Sequence, residues 1–219
     1  MKRAGALLFW AFSAVSSVLA LLYLAGFVRN RYSFSSIDSG LQIPTREALV
    51  VNLVLLALFG LQHSVMARPW FKRWVPWQAQ RSVYLLATAV VLTVLFIRWE
   101  PMPNPVWFLQ TGWPFTVLAA IGAVMVVWGA MSQGVAHFFG FDAVWAYVRG
   151  HSYAAPPFQV KGLYRYTRHP MMIGTLLFIW ATADMTQGHL LFAVVMTVYV
   201  LIGIRLEERD SAHLRLPMQ

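Results

Sequence analysis

The sequence predicts an all-α membrane protein, a polytopic helical bundle of five to six transmembrane helices with a C-terminal helical hairpin. Three observations predict it. Residues 4–27 run for 24 positions without a charge, enough to cross a hydrocarbon core of about 30 Å at about 1.5 Å per residue. Hydrophobic residues make up 59% of the 219 and charged residues 11%, a balance that does not keep a domain dispersed in water. Lys and Arg are also lopsided: in a six-span layout thirteen fall on one side and four on the other. The positive-inside rule then sets both termini in the cytoplasm.

The first element, 4–27, follows Lys2 and Arg3 as a secretory signal would, but it is too long and lacks a clear small-residue cleavage pattern, so a retained helix is expected. The second is 48–67. The third, 82–97, is short and sits between Arg81 and Arg98, whose stems can reach the interfaces. A fourth helix is expected unbroken over 116–139, and 171–183 with 189–204 form a hairpin around a single turn at 184–188. The fifth segment is short enough that five full spans and a partial one stay open. Trp70, Trp74, Trp77, Trp99, Trp107 and Trp113 fall at predicted interfaces, where indoles settle at headgroup depth.

Residues 1–219 read as a single integral membrane domain, with no repeat and no separate soluble part. Cysteine is absent, which excludes disulfides and thiolate metal centres. The net charge of +9 fits positive-inside loops against anionic membrane lipids. No long basic face points to nucleic acid.

Chemistry concentrates in two clusters, Arg165 to Pro170 and Glu207 to Asp210, at the feet of the hairpin. Arms of roughly 22 and 28 Å, at 1.5 Å per residue, return Glu207 to the level of His169. Between 140 and 168 lies a long connection carrying Asp142, Tyr153 and the Pro156-Pro157 pair; function often sits on such a segment. Pro170 suits the first turn of a helix, whose exposed amides can receive a carboxylate. Cations, an imidazole and carboxylates at one membrane surface suit a zwitterionic ligand.

Gly162-Leu163-Tyr164, Arg168-His169-Pro170, Gly174 and Glu207-Glu208 resemble the C-terminal signature of the isoprenylcysteine carboxyl methyltransferase and phospholipid methyltransferase superfamily, membrane enzymes that use S-adenosylmethionine. The stretches Gln62 to Pro69 and Met185 to Phe192 are similar to its bacterial methanethiol S-methyltransferase branch, which makes dimethyl sulfide. The resemblance spans about 62–210. It implies that Tyr164, His169, Pro170, Met171 and Met172 touch the cofactor, that Pro156, Pro157, Phe158 and Gln159 line its adenosyl side, and that Glu207 binds it from the last helix. Arg168, Glu208 and Gly174 are further candidates. The cofactor-binding part is about 135–210, and the implied partner is a small apolar thiol.

A thiol needs a base or a stabilising cation, and His63, His137, Asp142 and Tyr153 are the candidates for catalysis. Each also has a structural reading: His63 as a hydrogen bond across the bundle, His137 as a satisfied polar group, Asp142 as a cap for 143–148, Tyr153 as an interfacial anchor. A lipid amine or isoprenylcysteine acceptor is an alternative. So, from another class, is a haem- or quinone-binding protein or a membrane reductase, given the histidines near one surface. No compact ligand set suggests a metal.

Overall fold

The structure, a computed structural model, describes residues 2–31, 35–157 and 159–213, without the side chains of 210–213. In chain order come α1 (Arg3–Val28), α2 (Thr45–Ala67), the single turn α3 (Pro69–Lys72), α4 (Gln80–Arg98), strand β1 (Pro105–Phe108), α5 (Trp113–Ser132), the short α6 (Val135–Phe139), α7 (Phe141–Arg149), a 3-10 turn (Gly162–Arg165), α8 (Pro170–Trp180), strand β2 (Asp184–Thr186) and α9 (Gln187–His213). Among the described residues five helices, α1, α2, α4, α5 and α9, are long and apolar enough to cross a membrane, and the 11-residue α8 is a shorter apolar helix. The all-α membrane bundle is the observed architecture.

The outward faces are apolar: Leu8, Leu22, Val54, Leu61 and Ile97 are all exposed, which suits hydrocarbon as the surrounding solvent. Lipid tails are as apolar as leucine, so close packing and polar contacts hold such helices together. Accordingly α5 and α8 meet through Gly122 and Gly174, where a β-carbon on either would lie within 2.7 Å of the other's carbonyl oxygen. A second core joins α1, α2, α4 and α9 through Phe27, Leu56, Leu95, Phe96 and Phe192.

One end of the bundle is closed by a ribbon that the sequence reading did not contain. β1 and β2 pair antiparallel, with Trp107 opposite Met185, so the expected single turn at 184–188 is a strand followed directly by the start of α9. Asn104 and Met102 accept backbone hydrogen bonds from Gln187 and Gly188 at 2.9 and 3.0 Å. Trp99, expected in the headgroup layer, is buried and donates its indole N–H to Ile37 O at 3.0 Å.

The fourth span also departs from expectation. It stops at Ser132, and α6 leaves on its own after Gly134 at φ +92°, a backbone that favours glycine. The C-terminal carbonyls of α6 are held from outside: Trp10 donates to Phe139 O at 3.0 Å and Arg81 Nε to Phe138 O at 2.6 Å. These two contacts fix α6 against α1 and α4 and carry His137 to the site end.

Candidate active site

The feet of the hairpin meet as the arm lengths predict. His169 lies just before α8, with Pro170 in the first helical turn. Its Nδ1 stands 3.5 Å from Glu207 Oε2 and its Nε2 3.5 Å from Glu208 Oε1. Both separations are within ion-pair reach yet longer than an ordinary hydrogen bond. The His169 Nε2 is in fact buried with no hydrogen-bond partner among the described residues, and its side chain is 15% exposed against 59% and 51% for the two carboxylates. An imidazole held this way keeps donor capacity for a ligand, and the accessible carboxylates keep acceptor capacity.

Tyr164 joins them from the 3-10 turn. Burial, then the charge of Glu207, raises its phenol above the ordinary value. That turn starts at Gly162, φ +55°, and a β-carbon there would come within 2.7 Å of the Trp128 indole nitrogen, so the chain passes directly over α5. A cleft of about 500 Å³ opens beside this crossing, lined by Trp128, Met131, Ser132, Gln133, Gly134, Pro156, Pro157, Gln159, Lys161 and Gly162. Gln133 ties its rim, donating from Nε2 to Gln159 O at 3.1 Å. The cleft lining does not include His169 or Glu207.

The remaining expected cofactor contacts divide. Gly174 and Met171 face α5, Met171 packing on Gly129, so their close approach is to a helix. Met172 is half-buried and Arg168 is exposed. Phe158 lies outside the described residues. Trp128, Ser132 and Gln133, absent from the sequence reading, line the cleft, as does Lys161 of the long connection. In sequence the first three are indistinguishable from the end of an apolar span, and only the break at Gly134 would have marked them.

Three of the four candidate catalytic residues converge. His137 Nδ1 is 3.1 Å from Asp142 Oδ2, Tyr153 donates its hydroxyl to the same oxygen at 2.9 Å, and that hydroxyl is 3.0 Å from His137 Nδ1. Asp142 does sit in the first turn of a helix, α7, where its Oδ1 accepts from Ala143 N at 2.8 Å. Tyr153 stacks on Trp77 at 6.0 Å with planes 9° apart. Burial, then the hydrogen bond and charge of Asp142, raises the Tyr153 phenol, so it stays a donor at neutral pH. In the tautomer whose Nδ1–H is given to the carboxylate, Nε2 carries the lone pair, the geometry an oriented base would need.

His63 is elsewhere, in the bundle between α2, α4 and α9. Tyr84 OH lies 2.6 Å from its Nε2, and the Tyr199 ring is 6.4 Å away. Arg81 connects the two histidine groups, its guanidinium 5.2 Å from the Tyr84 ring centre and 5.1 Å from that of Phe138.

A phospholipid methyltransferase family profile matches residues 115–215. The chain is 41% identical over 217 residues to methanethiol S-methyltransferase 2 of Bradyrhizobium diazoefficiens, covering 95% of this chain and 83% of that protein. It is 38% identical over 219 residues to methanethiol S-methyltransferase of Mycobacterium tuberculosis, covering 96% and 89%. A more distant likeness, 29% over 185 residues, is to Nurim of Xenopus laevis, covering 77% and 64%. No solved structure matches.

Proposed function

The chain belongs to the methanethiol S-methyltransferase family of membrane methyltransferases, and we propose that it methylates methanethiol with S-adenosylmethionine, giving dimethyl sulfide, at a site facing the cytoplasm from a bacterial inner membrane. The observation that carries the reading is the trio His169, Glu207 and Glu208, set 3.5 Å apart with His169 Nε2 unpartnered among the described residues.

The residues fit the donor. An ammonium and a carboxylate on one ligand call for an acceptor and a donor side by side, which Glu207 and His169 supply, with the α8 amides beside them. The cleft between Trp128 and Pro156-Pro157 has the size and aromatic wall for an adenosyl group. When bound, S-adenosylmethionine supplies a methyl group on a positively charged sulfur. The acceptor's S–H proton leaves to His137 Nε2, whose imidazolium the Asp142 carboxylate stabilises. The chemistry the donor would supply is transfer of that methyl to the acceptor sulfur, with the electron pair of the donor's S–CH3 bond staying on the donor as a neutral thioether, while His169 and Glu207 would hold the donor. Opposite charges vanish in that step, so an apolar setting favours it. Holding both sulfurs in line supplies much of the rate.

Headspace gas chromatography of purified protein given both substrates tests the proposal. Dimethyl sulfide above an enzyme-free control is expected; a protein that binds the donor but yields none has another acceptor. The phospholipid methyltransferase match favours a lipid amine as the second reading, read out by methylated phosphatidylethanolamine in the same preparation.

A further inference from the structure

The connection from α2 to α4 carries Trp70, Trp74 and Trp77 among Arg68, Lys72 and Arg73. The sequence sets these indoles and Arg81 at the membrane interface, where neither needs a protein partner. Trp74, 83% exposed, conforms. Trp77, at 41%, does not: its ring stacks on Tyr153 at 6.0 Å with planes 9° apart, and meets Tyr147 of α7 at 6.1 Å and 77°. Its loop is tied down, because Gln80 donates from Nε2 to Lys72 O at 2.9 Å and to Val75 O at 3.2 Å.

Arg81, four residues on, is likewise turned to protein. Its Nε donates at 2.6 Å to the carbonyl of Phe138, the residue after His137, and its guanidinium lies 5.1 Å from the Phe138 ring centre. A β-carbon at Gly140 would come within 2.5 Å of Arg81 Cβ, so the arginine stem fills the room beside the turn that joins α6 to α7. That turn, with Gly140 at φ +77°, separates His137 from Asp142.

The trio itself stands on three slight supports. His137 lies on a five-residue helix, Asp142 on a nine-residue one, and Tyr153 in the stretch 151–157, which has no regular secondary structure. Helices this short are marginal on their own. Trp77 and Arg81 between them touch all three pieces: α6 through Phe138, α7 through Tyr147 and the Gly140 turn, and the connection through Tyr153. We propose that Trp77 and Arg81 are positioning residues for methyl transfer, holding the segments of His137, Asp142 and Tyr153 in one register. This rests on the reading of that trio as the base. Neither residue needs to touch a reacting atom.

The test is a double-mutant cycle on the full chain in nanodiscs, with kcat and KM read from dimethyl sulfide and donor Kd from calorimetry. Trp77→Ala is expected to lower kcat about tenfold, since misplacing a reacting group by about 1 Å can cost about 100-fold, with methanethiol KM and donor Kd within about twofold. Trp77→Phe keeps a ring face for Tyr153 and should stay within about threefold of wild type. In an Asp142→Ala background the same Trp77→Ala change should cost less than about twofold, because the group it positions is already disabled. Arg81→Met keeps a stem beside Gly140 and loses the Nε–H, and should follow the same pattern; should it fold poorly, the Trp77 set decides alone. An equal loss from Trp77→Ala in both backgrounds, a loss carried by KM or donor Kd, or no loss at all overturns the inference and leaves the trio standing. An Asp142→Ala kcat within about threefold of wild type overturns the trio reading and the inference with it.

Discussion

At the ribbon end of the bundle, buried side chains satisfy backbone groups of distant segments; at the site end, His169 Nε2 is buried without a hydrogen bond among the described residues and the two carboxylates near it stay accessible. Asn52, fully buried on α2, grips both the N–H and the carbonyl of Glu100, and His189, 2% exposed, sits 2.8 Å from Ile179 O. His169 and its carboxylates leave their hydrogen-bonding capacity open, and the neighbouring segments that carry His137, Asp142 and Tyr164 turn at Gly134, Gly140, Gly150 and Gly162, all at positive φ. The first end behaves as a frame in which Asn52 and His189 are paired, although the buried Gln187 Oε1 has no hydrogen-bond partner among the described residues. The second fits the proposed receptor, in which unpaired groups would be tolerated because a ligand completes them. Damage to the site end should therefore appear in kinetics and binding, and damage to the ribbon end in stability.

The largest effect expected is on turnover. Asp142→Ala removes the carboxylate that orients His137 Nδ1–H and receives the Tyr153 hydroxyl, so kcat should fall by about 100-fold or more, the usual contribution of an oriented base. Donor affinity should stay close to wild type, and calorimetry beside a dimethyl sulfide assay reads the two separately. A kcat within threefold of wild type would return the trio to a structural role.

Next come the donor contacts. His169→Ala and Glu207→Ala each remove one hydrogen bond to a charged group of the donor, a loss of about 1.5–3 kcal/mol, or roughly 10- to 100-fold in donor Kd. The thermal midpoint should hardly move, because contacts at 3.5 Å to half-exposed carboxylates hold little of the fold together. Unchanged Kd in both variants would remove the proposed donor site.

The same contrast explains what the sequence made legible. Uncharged runs mark the spans because insertion depends on local hydrophobicity, and helix rise made the meeting of His169 with Glu207 readable, although α8 ends at Trp180, short of the expected 183, and a non-helical stretch completes that arm. The break at Gly134 was not: apolar residues continue through Phe139, and membrane helices tolerate glycine. His137, Asp142 and Tyr153 stood out as residue types, but their convergence needs the two turns at Gly134 and Gly140. The ribbon was hidden for another reason. β1 and β2 are four and three residues long and lie far apart in sequence, so tertiary context creates the pairing and local propensity carries little of it.

The smallest effect belongs to the frame and separates the ends most directly. Asn52→Ala leaves the Glu100 N–H and carbonyl without the partners they have at 3.0 and 2.7 Å, and orphaning buried polar groups costs about 1–3 kcal/mol. The thermal midpoint in detergent should drop by several degrees while kcat and donor Kd stay within about twofold, since Asn52 lies at the opposite end of the bundle from the candidate site. Asn52→Asp sharpens the reading: a carboxylate still accepts from Glu100 N–H but cannot donate to the carbonyl, and its charge is buried, so it should destabilise at least as much as alanine. A tenfold change in turnover from either variant, with the midpoint unmoved, would mean that the two ends are coupled and the division between frame and receptor is mistaken.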